Sequence, residues 1–207
     1  MAGAKKMAAI LTKLSSTIIA GFVLALVLLL ILAGWYKAGA AFDLPWWSFF
    51  FRWLHVLSGV MWIGILWYFN FVQIPNMSKI EAAQRPAITQ VIAPAALFWF
   101  RWGAMSTIVT GLILAWLNGY IVEAITIGIV GGVAKHTAIG IGMWLGTIMW
   151  FNVWFIIWPN QKIALGMVTA EDAAKAAAGR TAMLFSRTNT MLSIPMLYAM
   201  VSAQNLF

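Results

Sequence analysis

The chain has 207 residues, of which 63% are hydrophobic and only 9% are charged, and this balance excludes a soluble fold with a hydrated surface. The formal net charge of +8 is spread between apolar segments, which argues against a nucleic-acid-binding face and favours a role in membrane orientation. The absence of cysteine excludes disulfides, thiolate catalysis, iron–sulfur clusters and covalently attached c-type haem.

Five apolar runs follow one another, and each is long enough to cross a bilayer as a helix. The first, 17–35, follows three Lys residues as in a signal peptide, but it is too long and lacks a small-residue cleavage site, so we interpret it as a retained helix. The other runs are 46–74, 95–117, 127–158 and 181–203, and the alanine-rich stretch 160–180 is predicted to be a loop. The sequence thus predicts an all-α integral membrane bundle with about five transmembrane helices, forming a single domain over residues 1–207.

The distribution of basic residues predicts the orientation of the bundle. With the N-terminus inside, eight Lys or Arg residues fall in cytoplasmic segments and three fall at the outer side. The inner residues are Lys5, Lys6, Lys13, Lys79, Arg85, Lys162, Lys175 and Arg180, and the outer residues are Lys37, Arg52 and Lys135. The positive-inside rule therefore predicts a multi-pass membrane protein with its N-terminus in the cytoplasm and its C-terminus outside.

The chain has two histidines, and both lie inside predicted transmembrane helices, where ionisable side chains are costly and are candidates for function. His55 is 20 residues before Pro75 and His136 is 23 residues before Pro159, and both prolines mark cytoplasmic helix ends. At the rise of an α-helix, the two rings lie about 30 and 35 Å from that side, close to the outer face. Two imidazoles at one depth on separate helices predict a single b-type haem ligated by both.

Basic residues accompany both histidines. Arg52 precedes His55 by one helical turn, and Lys135 adjoins His136, so both cations are candidates to pair with haem propionates. Each histidine could instead bond a backbone carbonyl without doing chemistry, and a copper or zinc site would need further ligands. All five acidic residues lie between the apolar runs, which argues against proton-coupled transport through buried carboxylates.

Short motifs follow one another from the second to the fifth predicted helix: 52–56 (RWLHV), 62–64 (WIG), 98–102 (FWFRW), 146–149 (GTIM), 152–154 (NVW), 159–162 (PNQK), 186–190 (SRTNT) and 192–195 (LSIP). In this order they resemble the membrane domain of bacterial membrane-bound urate hydroxylase, the urate oxidase N-terminal family. The resemblance implies a location in the bacterial inner membrane. His55 and His136 match positions of the family pattern, whereas Phe98 and Thr188 replace histidines that the family carries. With no Cys, the chain resembles a short form that lacks the family's C-terminal cytochrome c.

Three functions are compatible with these observations. The matched histidines favour a membrane redox subunit that binds haem b and exchanges electrons with a cytochrome c or a larger membrane complex. The small size and the missing family histidines are also compatible with a cofactor-free accessory subunit of a larger complex. The resemblance by itself implies urate oxidation, with a separate cytochrome c as the electron acceptor.

Overall fold

The computed structural model describes residues 10–36 and 42–207, and within these ranges every regular element is helical. In this described part of the chain, four helices are long and apolar enough to cross a membrane: Leu14–Leu32, Leu44–Lys79, Ala87–Leu117 and Ala134–Ala164. The predicted all-α membrane bundle is therefore confirmed, while a fifth crossing stays a prediction. By its internal contacts the chain divides into two compact units, Met1–Trp46 and Trp47–Phe207, and the single domain also stays a prediction.

The first unit contains helix α1, Leu14–Tyr36. Its 23 residues span about 35 Å, enough for the hydrocarbon core of a bilayer. Within the window Leu14–Leu32, apolar side chains occur on every face of the helix. The predicted positions of Lys5, Lys6 and Lys37 lie outside the described residues.

The second unit contains the long helices that form the core. Helix α2, Leu44–Trp67, continues through a π-helical turn, Tyr68–Gln73, to Lys79. Helix α3, Ala93–Leu117, follows a π-helical turn at Ala87–Ile92, and a short helix α4, Ile121–Ile125, comes next. Helix α5, Ala134–Phe151, continues through the π-helical turn Asn152–Ile157 and Trp158–Ala164, and helix α6 is Asp172–Asn205.

Each π-helical turn in the described chain is followed two residues later by a proline, namely Pro75, Pro94 or Pro159. A proline inside a helix has no N–H to donate, and its ring crowds the carbonyl of the preceding turn. A wider turn with hydrogen bonds from residue i to i+5 relieves that crowding without ending the helix. The sequence marks helix ends at Pro75 and Pro159, but the structure carries both helices past these residues.

The core is apolar at its centre, with polar pairs between helices. Trp62, Leu66, Phe100 and Met149 are almost completely buried in one cluster formed by α2, α3, α5 and α6. Between α5 and α6, the Asn152 side-chain N–H donates to Asn189 Oδ1 at 2.8 Å, and Asn189 donates to the Met149 carbonyl at 2.9 Å. These side chains hold helices together, as polar groups between membrane helices usually do.

The boundaries of the last two helices differ from those predicted. The predicted helix from residue 127 begins only at Ala134, because residues 127–133 form turns in which Ile127, Gly128 and Gly131 have positive φ angles. The stretch 160–180 is mostly helical rather than a loop, since one helix continues to Ala164 and α6 already begins at Asp172. Alanine favours helix without making a segment apolar enough for the bilayer, so hydropathy underestimates the length of α6.

Candidate ligand-binding cavity

His55 is held against helix α3 by a backbone hydrogen bond and a glycine. Its Nδ1 lies 2.9 Å from the carbonyl oxygen of Thr107 and 3.4 Å from the hydroxyl of Thr110. Because a carbonyl can only accept, Nδ1 carries the proton, and Nε2 keeps a free lone pair when the ring is neutral. A Cβ at Gly111 would lie only 2.9 Å from His55 Cε1, so the ring can pack this closely only against glycine.

A cavity of about 480 Å³ opens beside the His55 ring, and helices α2, α3, α5 and α6 form its walls. Its volume is within the usual range for a small-molecule or cofactor site, about 300–1,000 Å³. The lining is mainly apolar and includes three methionines, Met143, Met196 and Met200. Thioether sulfur is soft and polarisable, so it can contact an aromatic ring or bind a soft metal.

Arg52 and Gln204 form an exposed polar pair in the cavity wall. The Arg52 guanidinium donates from Nη1 to Gln204 Oε1 at 3.2 Å, which joins α2 to the end of α6. Tyr120 lines the same cavity and is buried. Burial raises the pKa of Tyr120 above its usual 10.0, and the nearby charge of Arg52 acts in the opposite direction. The pair thus supplies a positive charge to an otherwise apolar cavity.

His136 lies outside the cavity lining. Its ring stacks on Tyr120 with centroids 5.8 Å apart and an angle of 26° between the planes. Its Nδ1 is buried and has no hydrogen-bond partner. Lys135 is half-buried and also lies outside the lining. Of the four predicted site residues, the structure therefore brings Arg52 and His55 into one cavity, but does not bring His136 and Lys135 into it.

Two tryptophans are cavity residues that the sequence interpretation missed. The indole N–H groups of Trp62 and Trp150 are buried without a hydrogen-bond partner, although both side chains line the cavity. A buried donor without an acceptor is costly, so these groups suit a ligand or water that offers an acceptor. Trp62 belongs to a motif that the resemblance singled out, but its sequence position does not reveal that it faces a cavity.

No cluster of three His, Cys, Asp or Glu side chains able to hold a metal ion occurs in the described ranges 10–36 and 42–207. A metal site of the zinc or copper type would therefore have to recruit other ligands here. Phe98 and Thr188, at positions where the resemblance implies histidine, are also absent from the cavity lining.

Comparison with protein families identifies a match in the C-terminal part of the chain. Residues 129–206 match the sequence model of a family described as urate oxidase N-terminal, and they include α5 and α6, which supply one side of the cavity. No match was found among curated proteins or solved structures. Motifs 52–56 and 98–102 lie outside the matched residues, so the resemblance there stays a prediction. Over residues 129–206, the predicted resemblance is confirmed: this part of the chain is similar to the urate oxidase N-terminal family.

Proposed function

We propose that the chain is a membrane redox subunit that holds a b-type haem in this cavity, with His55 as a ligand to its iron. The proposal rests on the orientation of the His55 ring. This ring lines a cavity of about 480 Å³, and its Nδ1 donates a hydrogen bond to the Thr107 carbonyl. Ligating histidines commonly donate their other ring N–H to a carbonyl, which fixes the tautomer and the ring orientation.

The other cavity residues fit a haem in part. Gly146 lines the cavity, and a Cβ placed there would meet nothing within 4 Å, so a flat group can approach this wall. The exposed Arg52 suits a propionate, since a guanidinium binds carboxylates through paired hydrogen bonds. His136 stacks on Tyr120 outside the lining, so ligation by both histidines does not fit this geometry. Among the cavity residues, Met143, Met196 and Met200 are the candidates that would hold the iron together with His55.

A haem bound here would supply one-electron transfer. The chain's own contribution would be to orient the His55 ring, to keep water from the apolar walls and to place the Arg52 charge beside the ligand. An external cytochrome c or a larger membrane complex is the proposed electron partner.

The optical spectrum of the purified protein tests this proposal. We expect a Soret band that is lost in His55→Ala and retained in the matched variant His136→Ala. A haem-free protein, or a band unaffected by His55→Ala, would contradict the proposal. Haem-free protein that purifies with a larger complex would favour the alternative of an accessory subunit.

A second candidate function is urate oxidation in the same cavity, with a separate cytochrome c as the acceptor. Two observations favour it: the family match over residues 129–206, and the unpartnered indole donors of Trp62 and Trp150, whose side chains line the same cavity as Arg52. Urate is a planar anion rich in carbonyl acceptors, which such donors would satisfy. The cavity is, however, much larger than one purine, and for this reason we place haem first.

An activity assay separates the two candidates. Membranes containing the chain and a cytochrome c should consume urate if the second candidate is correct, and Trp150→Phe should weaken the turnover. No loss of urate in this assay would exclude the second candidate while leaving the haem proposal standing.

The proposed orientation has the N-terminus in the cytoplasm of a bacterial inner membrane. Five basic residues lie at one end of the bundle, namely Lys79, Arg85, Lys162, Lys175 and Arg180. The first three lie near or beyond the ends of the segments that continue α2 and α5, and the last two lie in the first half of α6. Arg52 and Lys135 lie near the opposite helix ends. The positive-inside rule then assigns the cavity end, with Arg52 and Gln204, to the outer face.

A further inference from the structure

Arg101 is an unbalanced charge in a membrane-spanning helix. It lies within the span Ala87–Leu117, and its guanidinium carbon is 3.3 Å from the centroid of the Trp158 ring on the neighbouring span. Its Nη1 is buried and has no hydrogen-bond partner. The cation–π contact orients the guanidinium but supplies neither a counter-charge nor an acceptor for that N–H.

The chain offers no carboxylate to balance this charge. All of its acidic residues lie between the spans or at a helix start, namely Asp43, Glu81, Glu123, Glu171 and Asp172. The one salt bridge found in the described residues joins Lys175 to Asp172, at 3.3 Å. Asn70 Oδ1 and Gln73 Oε1 are buried acceptors without partners, but they are neutral amides. Arg101 is only half-buried, but its Nη1 N–H is buried without an acceptor, so the described residues leave both this donor and the positive charge uncompensated.

Lys162 adds a second positive charge at the same ring. Its Nζ lies 5.7 Å from the centroid of the Trp158 ring, and Trp158 precedes Lys162 by about one helical turn. Two cations therefore converge on a single indole, on two different helices. Such a pair can bind an anion together, because a guanidinium presents paired donors and an ammonium acts as a point charge.

The depth of this cluster matches the lipid headgroups. Trp158 is 24 residues after Ala134, the start of its span, which corresponds to about 36 Å along a helix. Arg101 is 16 residues before Leu117, or about 24 Å. The two lengths bracket the roughly 30 Å thickness of the hydrocarbon core, which favours a position of the cluster towards the membrane interface at the end away from Arg52. Tryptophan is also enriched at this level.

We propose that Arg101, Lys162 and Trp158 form a binding site for the phosphate of an anionic membrane lipid. The lipid phosphate would accept from the exposed part of the Arg101 guanidinium and would balance both cations, for which the described residues provide no ion-pair partner. The same chemistry could recognise free phosphate, but the position at the headgroup level selects the lipid. This site is independent of the cavity and of the proposed redox function.

Thermal unfolding in detergent tests the proposal, with phosphatidylglycerol, phosphatidylcholine or inorganic phosphate added in separate arms. We expect phosphatidylglycerol to raise the Tm by about 5 °C, and the other two additives to have little effect. The shift should disappear in Arg101→Gln and shrink in Lys162→Gln. Arg180→Gln is the matched control, because it removes one exposed cation elsewhere and should keep the full shift.

Three results would overturn the site. An equal shift with phosphatidylcholine would remove the need for an anionic lipid, and an equal shift with inorganic phosphate would assign the anion to solution. The cluster would be excluded if phosphatidylglycerol still raised the Tm by the full amount in Lys162→Gln and also in either Arg101→Gln or Arg101→Lys, each tested as a single variant. If Arg101→Gln does not fold, Lys162→Gln and Arg101→Lys still decide the outcome, because Arg101→Lys keeps the charge but loses the paired donors.

Discussion

At the scale of single residues, the candidate cavity depends on the absence of a side chain at Gly111 as well as on the side chain of His55. His55 can approach α3 because Gly111 has no side chain, and the Thr107 carbonyl then receives the Nδ1 proton. The free Nε2 follows from this arrangement. A histidine in the same sequence position but turned to lipid would have neither the hydrogen bond nor the cavity.

We therefore predict that Gly111→Ala displaces the His55 ring. The new methyl group would be 2.9 Å from His55 Cε1, so the ring must shift, at a cost of about 1–3 kcal/mol. Under the haem proposal, the Soret absorbance per mole of protein should fall strongly. Gly64→Ala is the control, because a Cβ there meets nothing within 4 Å. Unchanged haem content in Gly111→Ala would contradict the proposed role of this ring.

Tyr120 predicts a pH dependence of stability. Burial raises its pKa above 10.0, so the folded protein keeps a proton that the unfolded chain loses as the pH rises through that value. The free energy of unfolding should therefore decrease above about pH 10 and should be unaffected at neutral pH. Tyr120→Phe keeps the ring that stacks on His136 but removes the proton, so its stability should depend less on pH in this range. Equal pH profiles for the two proteins would show that Tyr120 is not responsible.

At the scale of elements, the connection between α4 and α5 shows how glycines keep the first part of an apolar run out of the helix. Residues 127–133 have the composition of a membrane helix, but Gly128 and Gly131 adopt positive φ angles. Gly128 also packs against Thr137, with no room for a side chain. The turn brings Ala124 of α4 close to Gly140 of α5, and Ala124 is completely buried there.

This packing predicts different costs for two similar substitutions. Gly131→Ala should destabilise the fold by about 1 kcal/mol, from backbone strain alone, because nothing lies within 4 Å of its Cβ position. Gly128→Ala carries the same strain and also clashes with the Thr137 hydroxyl, so we expect an additional cost of about 1–3 kcal/mol. Unfolding of the purified variants in detergent measures both, and equal losses would show that the contact with Thr137 is unimportant.

At the scale of the whole molecule, the described surface is apolar and the interior contains the polar groups. Large hydrophobic side chains such as Phe71, Trp116 and Ile194 are more than 60% exposed, whereas Asn189 and Ser193 are completely buried. This distribution suits a lipid solvent, in which polar groups gain by bonding to one another. It also explains why α6 is too polar to count as a membrane span by hydropathy, although it packs along α5.

The orientation of the chain is the prediction that belongs to this scale. A periplasm-active alkaline phosphatase fused after Phe207 should be active, and a fluorescent protein that folds only in the cytoplasm should be dark there. The physical reason is the excess of basic residues at the helix ends away from the cavity. The reverse pattern of reporters would place the C-terminus inside and would be incompatible with a cavity that faces an external cytochrome c.

Much of the fold could be predicted from apolar runs, because membrane insertion depends on local composition. The end of α3 at Leu117 coincides with the predicted end, where Asn118 and Gly119 stop the helix. The start of α6 could not be found in this way, because its first turns are alanine-rich and polar. The prolines were also misleading, since a π-helical turn lets a helix continue where hydropathy and proline together indicate an end.

The sequence by itself determined that the chain is a helical membrane protein and that His55 and Arg52 are separated by one helical turn, because hydrophobicity and helical spacing act locally along the chain. Only the tertiary structure decided which side chains share a cavity, since depth in the membrane does not specify the direction in which a ring points. His136 packs on Tyr120 outside the cavity lining, whereas Trp62, Trp150 and Gln204 come from distant positions to line the cavity. Packing between helices involves residues that are distant in the sequence, and it determines which side chains line the cavity.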